Sequence, residues 1–168
     1  MTIPAIVLDD GTALRVRPIE PEDTARLERM FDRLSPTTVY RRFFSPVQRP
    51  PRRMLLWLTN VDHDRREALV ALHGDEIVAV ARYDGRPGSH EAEIAVTVED
   101  AWQHHGVGVR LARRLARTAR DHGFDQFVAT MLPDNRQALG LLRRLAPAAA
   151  VHFDDGNYAA TVPLRRAS

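Results

Sequence analysis

The period of the hydrophobic pattern changes in the middle of the chain, between residues 91 and 120. Through residues 91–98 every second residue is apolar, which is the period of a β-strand with one face towards a core. Two glycines follow, Gly106 and Gly108, and apolar residues then recur at helical steps: Leu111, Ala112, Leu115, Ala116 and Ala119. This pattern predicts a strand, a glycine-containing turn and an amphipathic helix.

The same approach assigns elements to the rest of the chain. Helices are predicted to begin at Pro21 and at Ser35-Pro36, and a turn over residues 45–51 leads into a further helix through Met54 and Leu58. Strands on either side of the short turn at Gly74 come next, and a strand, a helix and a hairpin follow the central helix. The predicted strands are 13–19, 67–72, 77–83, 126–130, 151–153 and 158–162; the last helix is 133–145, and residues 165–168 are expected to fray.

The glycine turn is a candidate anion-binding site. The first N–H groups of a helix lack partners within the helix, and glycine lets a ligand approach them closely, so phosphate is favoured there. Two familiar nucleotide motifs are excluded, because Leu111 stands where a dinucleotide fingerprint needs a third glycine and no Gly-Lys-Ser/Thr follows. An ordinary glycine-rich turn between a strand and a helix is the alternative explanation.

The turn sequence Gln103-x-x-Gly106-x-Gly108 resembles the acyl-CoA pyrophosphate loop of the GNAT acyltransferase superfamily. The predicted order of strands and helices is also the GNAT order, and residues 38–44 resemble the corresponding segment of bacterial protein-lysine acetyltransferases in that superfamily. The resemblance implies an α/β (α+β) fold with a mixed, mostly antiparallel central sheet of about six to seven strands and helices on both faces. It implies a single GNAT domain over residues 1–168.

The resemblance further implies that acetyl-CoA is the co-substrate. The backbone of residues 95–98 is expected to bond the pantetheine arm as an added strand would, and Arg110 and Arg113 could reach a nucleotide phosphate. Asn135 matches an asparagine that often contacts coenzyme A, with a plain helix N-cap as its alternative role. The predicted acetyl-CoA-binding residues are Ala95, Val96, Val98, Gln103, His104, His105, Gly106, Val107, Gly108, Val109, Arg110, Arg113 and Asn135.

An amine acceptor requires a general base, because an alkylammonium has a pKa near ~10.4 and is protonated at neutral pH. Glu91 and Glu93 alternate with the apolar residues of their strand and therefore point the same way. Unpaired carboxylates are costly on a strand that helices cover on both faces, which argues against a merely solvated strand face. In the lysine acetyltransferases that the chain resembles, the base is the glutamate of an Ala-Glu-hydrophobic-Ala step, here Glu93. Glu91 is the second candidate.

Two further features concern the acceptor and the leaving group. Many GNAT enzymes carry a tyrosine general acid where this chain has Leu142, which leaves protonation of the thiolate to water or to the amine. This departure is shared with the protein-lysine acetyltransferase branch. Residues 40–44 are expected to shape one wall of the acceptor cleft, with Arg41 and Arg42 attracting acidic surface around a target lysine. The alternative is that Phe43 and Phe44 are core residues and the arginines are solvated.

Composition excludes several classes of function. The chain has 168 residues, enough for one core, and no cysteine, so neither a disulfide nor a thiolate nucleophile is available. All 24 basic residues are arginine, but the net charge is only +2 and 7% of the chain is aromatic, which disfavours nucleic-acid binding. No apolar run approaches the ~20 residues of a membrane span, and the histidines show no metal-ligand grouping. Arg114, Arg117 and Arg120 are expected on a solvated helix face.

Together these observations predict a cytoplasmic N-acetyltransferase that transfers acetyl directly from acetyl-CoA to an amine, with a lysine of another protein as the favoured acceptor. A small-molecule amine acetyltransferase and a non-catalytic acyl-CoA-binding sensor are the alternatives. No metal, nucleic acid or membrane is expected as a partner, and the protein is expected to be a monomer or a homodimer. Cyclic-nucleotide or acyl-CoA-synthetase-like modules, which some relatives carry, are absent from the sequence, so we expect the catalytic domain alone.

Overall fold

The structure is a computed structural model that describes residues 2–45 and 49–164. Within these residues it has eight strands and five α-helices, with 3-10 helices before α1 and α4. In chain order the elements are β1 (Ile6–Val7), β2 (Ala13–Pro18), α1 (Thr24–Arg33), α2 (Pro36–Phe43), α3 (Arg52–Thr59), β3 (Arg66–His73), β4 (Glu76–Gly85), β5 (Glu91–Val98), α4 (Val107–Asp121), β6 (Gln126–Met131), α5 (Arg136–Leu145), β7 (Ala150–Asp154) and β8 (Asn157–Pro163).

All eight strands form one sheet in the order β1-β2-β3-β4-β5-β6-β8-β7. Neighbouring strands are antiparallel except β5 and β6, so the predicted mixed, mostly antiparallel sheet is confirmed. The predicted strand number of six to seven is one to two below the eight strands of the described residues. The additional strand, β1, pairs with β2 across a turn at Gly11, where φ is +87°. The Asp10-Gly11 dipeptide between two short apolar runs is a pattern typical of a β-hairpin and could have predicted this turn.

Helices cover both faces of the sheet, as predicted. On one face α4 and α5 pack against the strands and bury Leu111 and Leu142. On the other face α1, α2 and α3 form a second core that includes Met30 and Leu55. The central strands β3 and β4 are buried on both faces, which explains why their sequences are nearly continuous apolar runs.

The boundaries of most elements lie close to the predicted ones, and the main difference is the start of α5. The helix begins at Arg136 instead of Pro133, because the side chain of Asn135 accepts a hydrogen bond from the N–H of Ala138 at 3.1 Å and caps it. Part of the predicted turn over residues 45–51, namely 46–48, and the predicted frayed tail 165–168 lie outside the described residues.

The two parallel strands in the middle of the sheet, β5 and β6, separate part-way along their length. Among the described residues their pairing joins Glu91–Glu93 to Gln126–Val128 and goes no further, although β4 stays paired with β5 as far as Val98. On its other side β6 stays paired with β8 as far as Met131. A gap therefore opens between β5 and β6 beyond Glu93, and one edge of β5 faces it.

Candidate active site

The gap between β5 and β6 opens into a cleft of about 690 Å³. Five parts of the chain supply most of its walls: α2, β5, the turn that begins α4, β6 and α5. A concave site of this size is typical of small-molecule and cofactor binding. The cleft brings together the strand, the glycine turn and the 38–44 segment that the sequence singled out.

The alternation of hydrogen bonds along β5 decides which backbone groups face the gap. The N–H of Glu99 donates to the C=O of Val78 on β4 at 2.9 Å, so the bonding groups of residues 91, 93, 95, 97 and 99 point to β4. The backbone N–H and C=O groups of Val96 and Val98 point into the gap. The backbone of Ala95, predicted to bind coenzyme A, is therefore committed to β4, and Ala95 contributes to the cleft by its side chain.

Glu93 is the only acidic residue among the described residues that line the cleft. Its side chain is exposed and has no hydrogen bond or ion pair with another described residue. The expectation that helices would cover this face of β5 is wrong at Glu93, because the side chain opens onto the solvated cleft. The energetic argument from burying a carboxylate does not apply to it, and the case for Glu93 rests on its position.

Glu91, the second candidate base, differs from Glu93 in its surroundings. It is half-buried, receives hydrogen bonds from Gln126 and from Arg86, the latter at 3.3 Å, and does not line the cleft. A carboxylate that already holds two donors away from the cleft is poorly placed to take a proton from an acceptor. The structure therefore separates the two glutamates, with Glu93 at the site.

The two glycines of the turn have different roles. Gly106 is the N-cap of α4 and has a φ of +76°, a conformation that side chains other than glycine rarely adopt. Gly108 has an ordinary φ but is tightly packed: a Cβ there would lie 2.9 Å from Leu141 Cδ1 and 3.3 Å from Val98 Cγ2. Gly106 thus shapes the turn, and Gly108 lets α4 lie close to β5 and α5. The first N–H groups of α4 are left without helical partners, as an anion site requires.

Side chains of the turn mostly hold it in place. Gln103 donates from Nε2 to the C=O of Val98 at 3.0 Å, which ties the turn to the end of β5. His104, at a φ of +65°, lines the cleft, and its Nε2 lies 3.3 Å from Nε2 of Gln137 on α5. His105 is exposed and is not among the cleft-lining residues. Of the two predicted histidines, His104 is therefore the one at the cleft.

The arginines near the start of α4 have protein partners. Arg110 donates to the C=O of Val7 at 2.6 Å, and Arg113 donates to the C=O of Arg144 at 3.2 Å. Each guanidinium has further donors for a phosphate. The expectation that Arg114 lies on a solvated helix face is wrong. Arg114 is half-buried, its Nη2 donates to the C=O of Ala5 at 3.2 Å, and burial lowers its pKa. The segment around β1, which was not predicted, covers this side of the helix.

Two predicted features of α5 are placed clearly. Asn135 is the N-cap of the helix, as its alternative role required, and it also lines the cleft. Leu142, at the position where many GNAT enzymes carry a tyrosine, is 4% exposed and forms part of the cleft wall. No tyrosine is found among the described residues that line the cleft. The position of Leu142 therefore has no hydroxyl group that could act as a general acid.

Of the segment 40–44 that was expected to shape the acceptor cleft, Arg41, Arg42, Phe43 and Phe44 line the cleft at the C-terminal end of α2, and Tyr40 does not. Phe43 is half-buried against the second core, and Phe44 ends the helix with a φ of +58° and is 38% exposed. Arg41 and Arg42 are half-buried in the cleft wall, so the alternative of fully solvated arginines is wrong. This wall lies on the same face of β5 as Glu93. Arg42 lines a small cavity together with Arg82 and Ala95, and the β4–β5 register pairs Ala95 with Arg82 and, two residues along on the same face, Glu93 with Asp84.

Asp100, which the sequence did not single out, fastens α2 to the end of β5. The carboxylate of Asp100 accepts hydrogen bonds from the N–H and hydroxyl of Ser35 at 2.9 and 2.7 Å and from the hydroxyl of Thr38 at 3.0 Å. Partial burial raises the pKa of Asp100, but these hydrogen bonds outweigh it and hold the pKa below its usual value. The sequence pattern Ser35-Pro36 indicated the start of the helix. No local pattern indicated that Asp100, which is distant in sequence, would bind it.

Similarity to known proteins covers the elements that form the cleft. The sequence profile of the Acetyltransferase (GNAT) family matches residues 27–146, a range that includes α2, β5, the glycine turn, β6 and α5. The chain is 34% identical over 133 residues to Acetyltransferase PA5475 of Pseudomonas aeruginosa, which is 77% of this chain and 72% of that protein. No helix in the described part of the chain is long and apolar enough to cross a membrane.

Two further similarities point to one branch of these proteins. Acetyltransferase Pat of Mycolicibacterium smegmatis is 34% identical over 139 residues, which is 80% of this chain but 41% of Pat, so the chain spans less than half the length of that relative. Among solved structures, the GNAT domain of S. lividans PAT matches with a TM-score of 0.88 and 32% identity over 95% of both chains.

Proposed function

Because the chain belongs to the acetyltransferase (GNAT) family and is an N-acetyltransferase, we propose that it transfers acetyl from acetyl-CoA to a lysine side chain of another protein. One observation carries this proposal: a single cleft has the glycine turn at one end, a free carboxylate at the other and unpaired backbone of β5 between them. The similarity to Pat and the resemblance of residues 38–44 to protein-lysine acetyltransferases support lysine as the acceptor.

The residues of the cleft fit acetyl-CoA. The free N–H groups at residues 107–109 suit a pyrophosphate, and the backbone of Val96 in the gap suits the amide groups of a pantetheine arm. Leu141 and Leu142 add apolar wall on the α5 side. The co-substrate supplies the acetyl group as a thioester.

The chemistry is then a proton transfer followed by acyl transfer. Glu93 accepts a proton from the acceptor ammonium, directly or through one water, and leaves a free amine. The amine nitrogen forms a bond to the acetyl carbonyl carbon, and the bond from that carbon to sulfur breaks. The backbone N–H of Val96 or Val98 stabilises the charge that develops on the carbonyl oxygen. Since Leu142 has no proton to give, the thiolate takes one from the amine nitrogen or from water.

The test is the substitution Glu93→Gln, which keeps the shape of the side chain and removes the proton acceptor. We expect turnover with a lysine-containing acceptor to fall by roughly 10²–10⁴-fold, with acetyl-CoA affinity little changed. Glu91→Gln is the matched control, because Glu91 lies on the same strand but outside the cleft. If Glu93→Gln retains more than about a tenth of the activity while Glu91→Gln is inactive, the assignment of the base is wrong.

The proposal takes the chain as one catalytic domain that acts in the cytoplasm as a monomer or a homodimer. Because the sequence contains no lysine, the enzyme has no ε-amine of its own to modify. Any acetyl-lysine formed in a reaction with a second protein therefore belongs to that protein. This makes acceptor identification unusually direct.

A further inference from the structure

Two arginines beside the acceptor side of the cleft, Arg41 and Arg82, have buried guanidinium nitrogens without hydrogen-bond acceptors among the described residues. Arg82 is 3% exposed, yet its Nε and Nη2 are without hydrogen-bond partners among the described residues. The Nε of Arg41 is buried and likewise unpartnered, and Arg42 forms no hydrogen bond or ion pair with a described residue. Unsatisfied buried donors are uncommon in folded proteins and cost free energy.

These side chains adjoin the place where the acceptor is proposed to react. Arg82 lies opposite Ala95 in the β4–β5 register, one position along from the pair of Asp84 and Glu93 on the same face. Arg42 and Arg82 both line a small cavity of about 20 Å³, and Arg42 also lines the large cleft. Arg42 thus stands between the cleft and the more deeply buried Arg82.

The surrounding carboxylates do not neutralise this wall. Asp84 is shared, with one oxygen 2.8 Å from Nε of Arg66 and the other 3.5 Å from Nε of Arg82. Glu93 is the remaining carboxylate. This region therefore holds the guanidinium groups of Arg41, Arg42, Arg66 and Arg82 against the carboxylates of Asp84 and Glu93. Arg82 is buried and the other three are half-buried, and the excess of positive charge favours an anion as ligand.

Arginine keeps its charge in proteins even where burial lowers its pKa. Burial lowers the pKa of Arg82 to about 10 and also lowers that of Arg42, for which the charges of Asp84 and Glu93 partly offset the effect. The ring of Trp57 lies 5.2 Å from Cζ of Arg82 and gives some cation–π stabilisation. An aromatic face does not replace lone pairs for the in-plane donors, so these still require an acceptor such as a carboxylate.

We propose that Arg42, supported by Arg82 behind it, forms an anion subsite that binds a carboxylate of the acceptor. Arg42 presents the planar fork that pairs with a carboxylate through two hydrogen bonds. The subsite shares a face of the sheet with Glu93, so a lysine with an acidic residue beside it places its amine at the base while its neighbour pairs with Arg42. The preference for an acidic neighbour rests on the proposed function; the anion subsite itself does not.

The kinetic test uses lysine peptides that differ only by Glu or Gln beside the lysine. Wild-type enzyme is expected to favour the Glu peptide by about tenfold in kcat/KM, and Arg42→Gln is expected to bring the ratio close to one. Arg120→Gln, which removes an exposed arginine of α4, should leave the ratio unchanged. A wild-type ratio near one overturns the proposal. An Arg42→Gln variant that slows both peptides equally and keeps the ratio would assign Arg42 to Glu93 instead.

A binding test is independent of acetyl transfer. Calorimetric titration with glutarate, in the presence of coenzyme A, should show saturable binding that glutaramide lacks and that Arg42→Gln abolishes. Arg82→Met, of similar side-chain length, should weaken glutarate binding, with the thermal midpoint measured to verify folding. Glutarate binding without peptide acetylation would reject the lysine acceptor and keep the subsite; acetylation without glutarate binding would reject the subsite. Comparing free amino acids with their amides as acceptors distinguishes an α-carboxylate from a peptide side chain.

Discussion

The two ends of the cleft are built in different ways. At the end of the glycine turn, the groups offered to a ligand are backbone N–H groups whose positions follow from one turn and one helix, within a short stretch around Gly106 and Gly108. At the acceptor end, the groups are side chains brought from α2, β4 and β5, such as Arg42, Arg82 and Glu93. The first end is specified locally, and the second depends on the register of the whole sheet.

This difference has consequences for substitution. A backbone site fails when the chain can no longer adopt its conformation, so glycine replacements are the effective perturbation there. A side-chain site fails through the loss of a particular charge or proton acceptor, and the fold can survive it. Perturbations at the turn should therefore change coenzyme binding, whereas those at the acceptor end should change rate or acceptor preference.

After the loss of turnover expected for Glu93→Gln, the largest expected effect is on coenzyme binding at Gly106. Gly106→Val places a side chain at a φ of +76° and in the approach to the proposed phosphate site, so acetyl-CoA affinity should fall by more than about tenfold. Gly156→Val in the β7–β8 turn is a matched control, because its φ is +80° and a Cβ there meets open space. Calorimetry with coenzyme A measures both. Unchanged affinity in Gly106→Val, or equal losses in both variants, would reject the turn as the phosphate site.

The next effect is on stability, at Gly108. Gly108→Ala places a Cβ 2.9 Å from Leu141, so overpacking should cost roughly 1–3 kcal/mol of unfolding free energy. Combining it with Leu141→Ala makes room, and a double-mutant cycle should show favourable coupling of more than about 0.5 kcal/mol. Denaturant unfolding of the four proteins measures this. Additive losses would show that the contact does not set the spacing of α4 and α5.

A smaller effect is expected from the fastening of α2. Asp100 has a pKa below its unfolded value, so its contribution is present above an unfolded pKa of ~3.9 and is lost as pH falls through the lower folded value. Asp100→Asn should cost at most about 1 kcal/mol at neutral pH, because the residue is exposed, and the difference should shrink below about pH 4. Unfolding free energies are compared from pH 7 to 3, with exposed Asp9→Asn as the control. A difference as large at pH 3 as at pH 7 would contradict this interpretation.

The smallest expected effect concerns the N-terminal segment on α4. Arg114→Gln removes the hydrogen bond to Ala5 and should cost about 0.5–1 kcal/mol while leaving turnover unchanged. Hydrogen exchange should accelerate in the segment around residues 5–7. Arg117→Gln on the exposed side of the helix is the control. Equal exchange in both variants would mean that Arg114 does not hold the segment.

Local patterns predicted most of the fold and the turn end of the cleft. The period-two pattern of residues 91–98, the turn at Gly106 and the helix after it are present as expected. β1 was missed because a two-residue strand leaves almost no periodicity, although the Asp10-Gly11 turn was recognisable. The start of α5 was placed too early because Pro133 and Asn135 are both helix-start residues, and only the observed cap decides between them.

The acceptor end was less accessible to sequence reasoning. Arg82 lies in a strand that reads as an apolar run, and nothing local shows that its guanidinium is buried beside Arg42. That juxtaposition depends on the β4–β5 register and on how α2 packs on the sheet. Glu93 was singled out as the candidate base, and it lines the cleft. Part of the reasoning was wrong, since its face is open to solvent and not covered by helices.

The proposed reaction is transfer of acetyl from acetyl-CoA to lysines of other proteins. The most direct measurement incubates the purified enzyme with isotope-labelled acetyl-CoA and a protein extract and identifies labelled sites by mass spectrometry. Because the enzyme has no lysine, every labelled lysine belongs to a target. We expect label on lysines of a limited set of proteins. This labelling should be abolished in the Glu93→Gln variant. Label that appears at catalytic rates only in low-molecular-weight amines would contradict it.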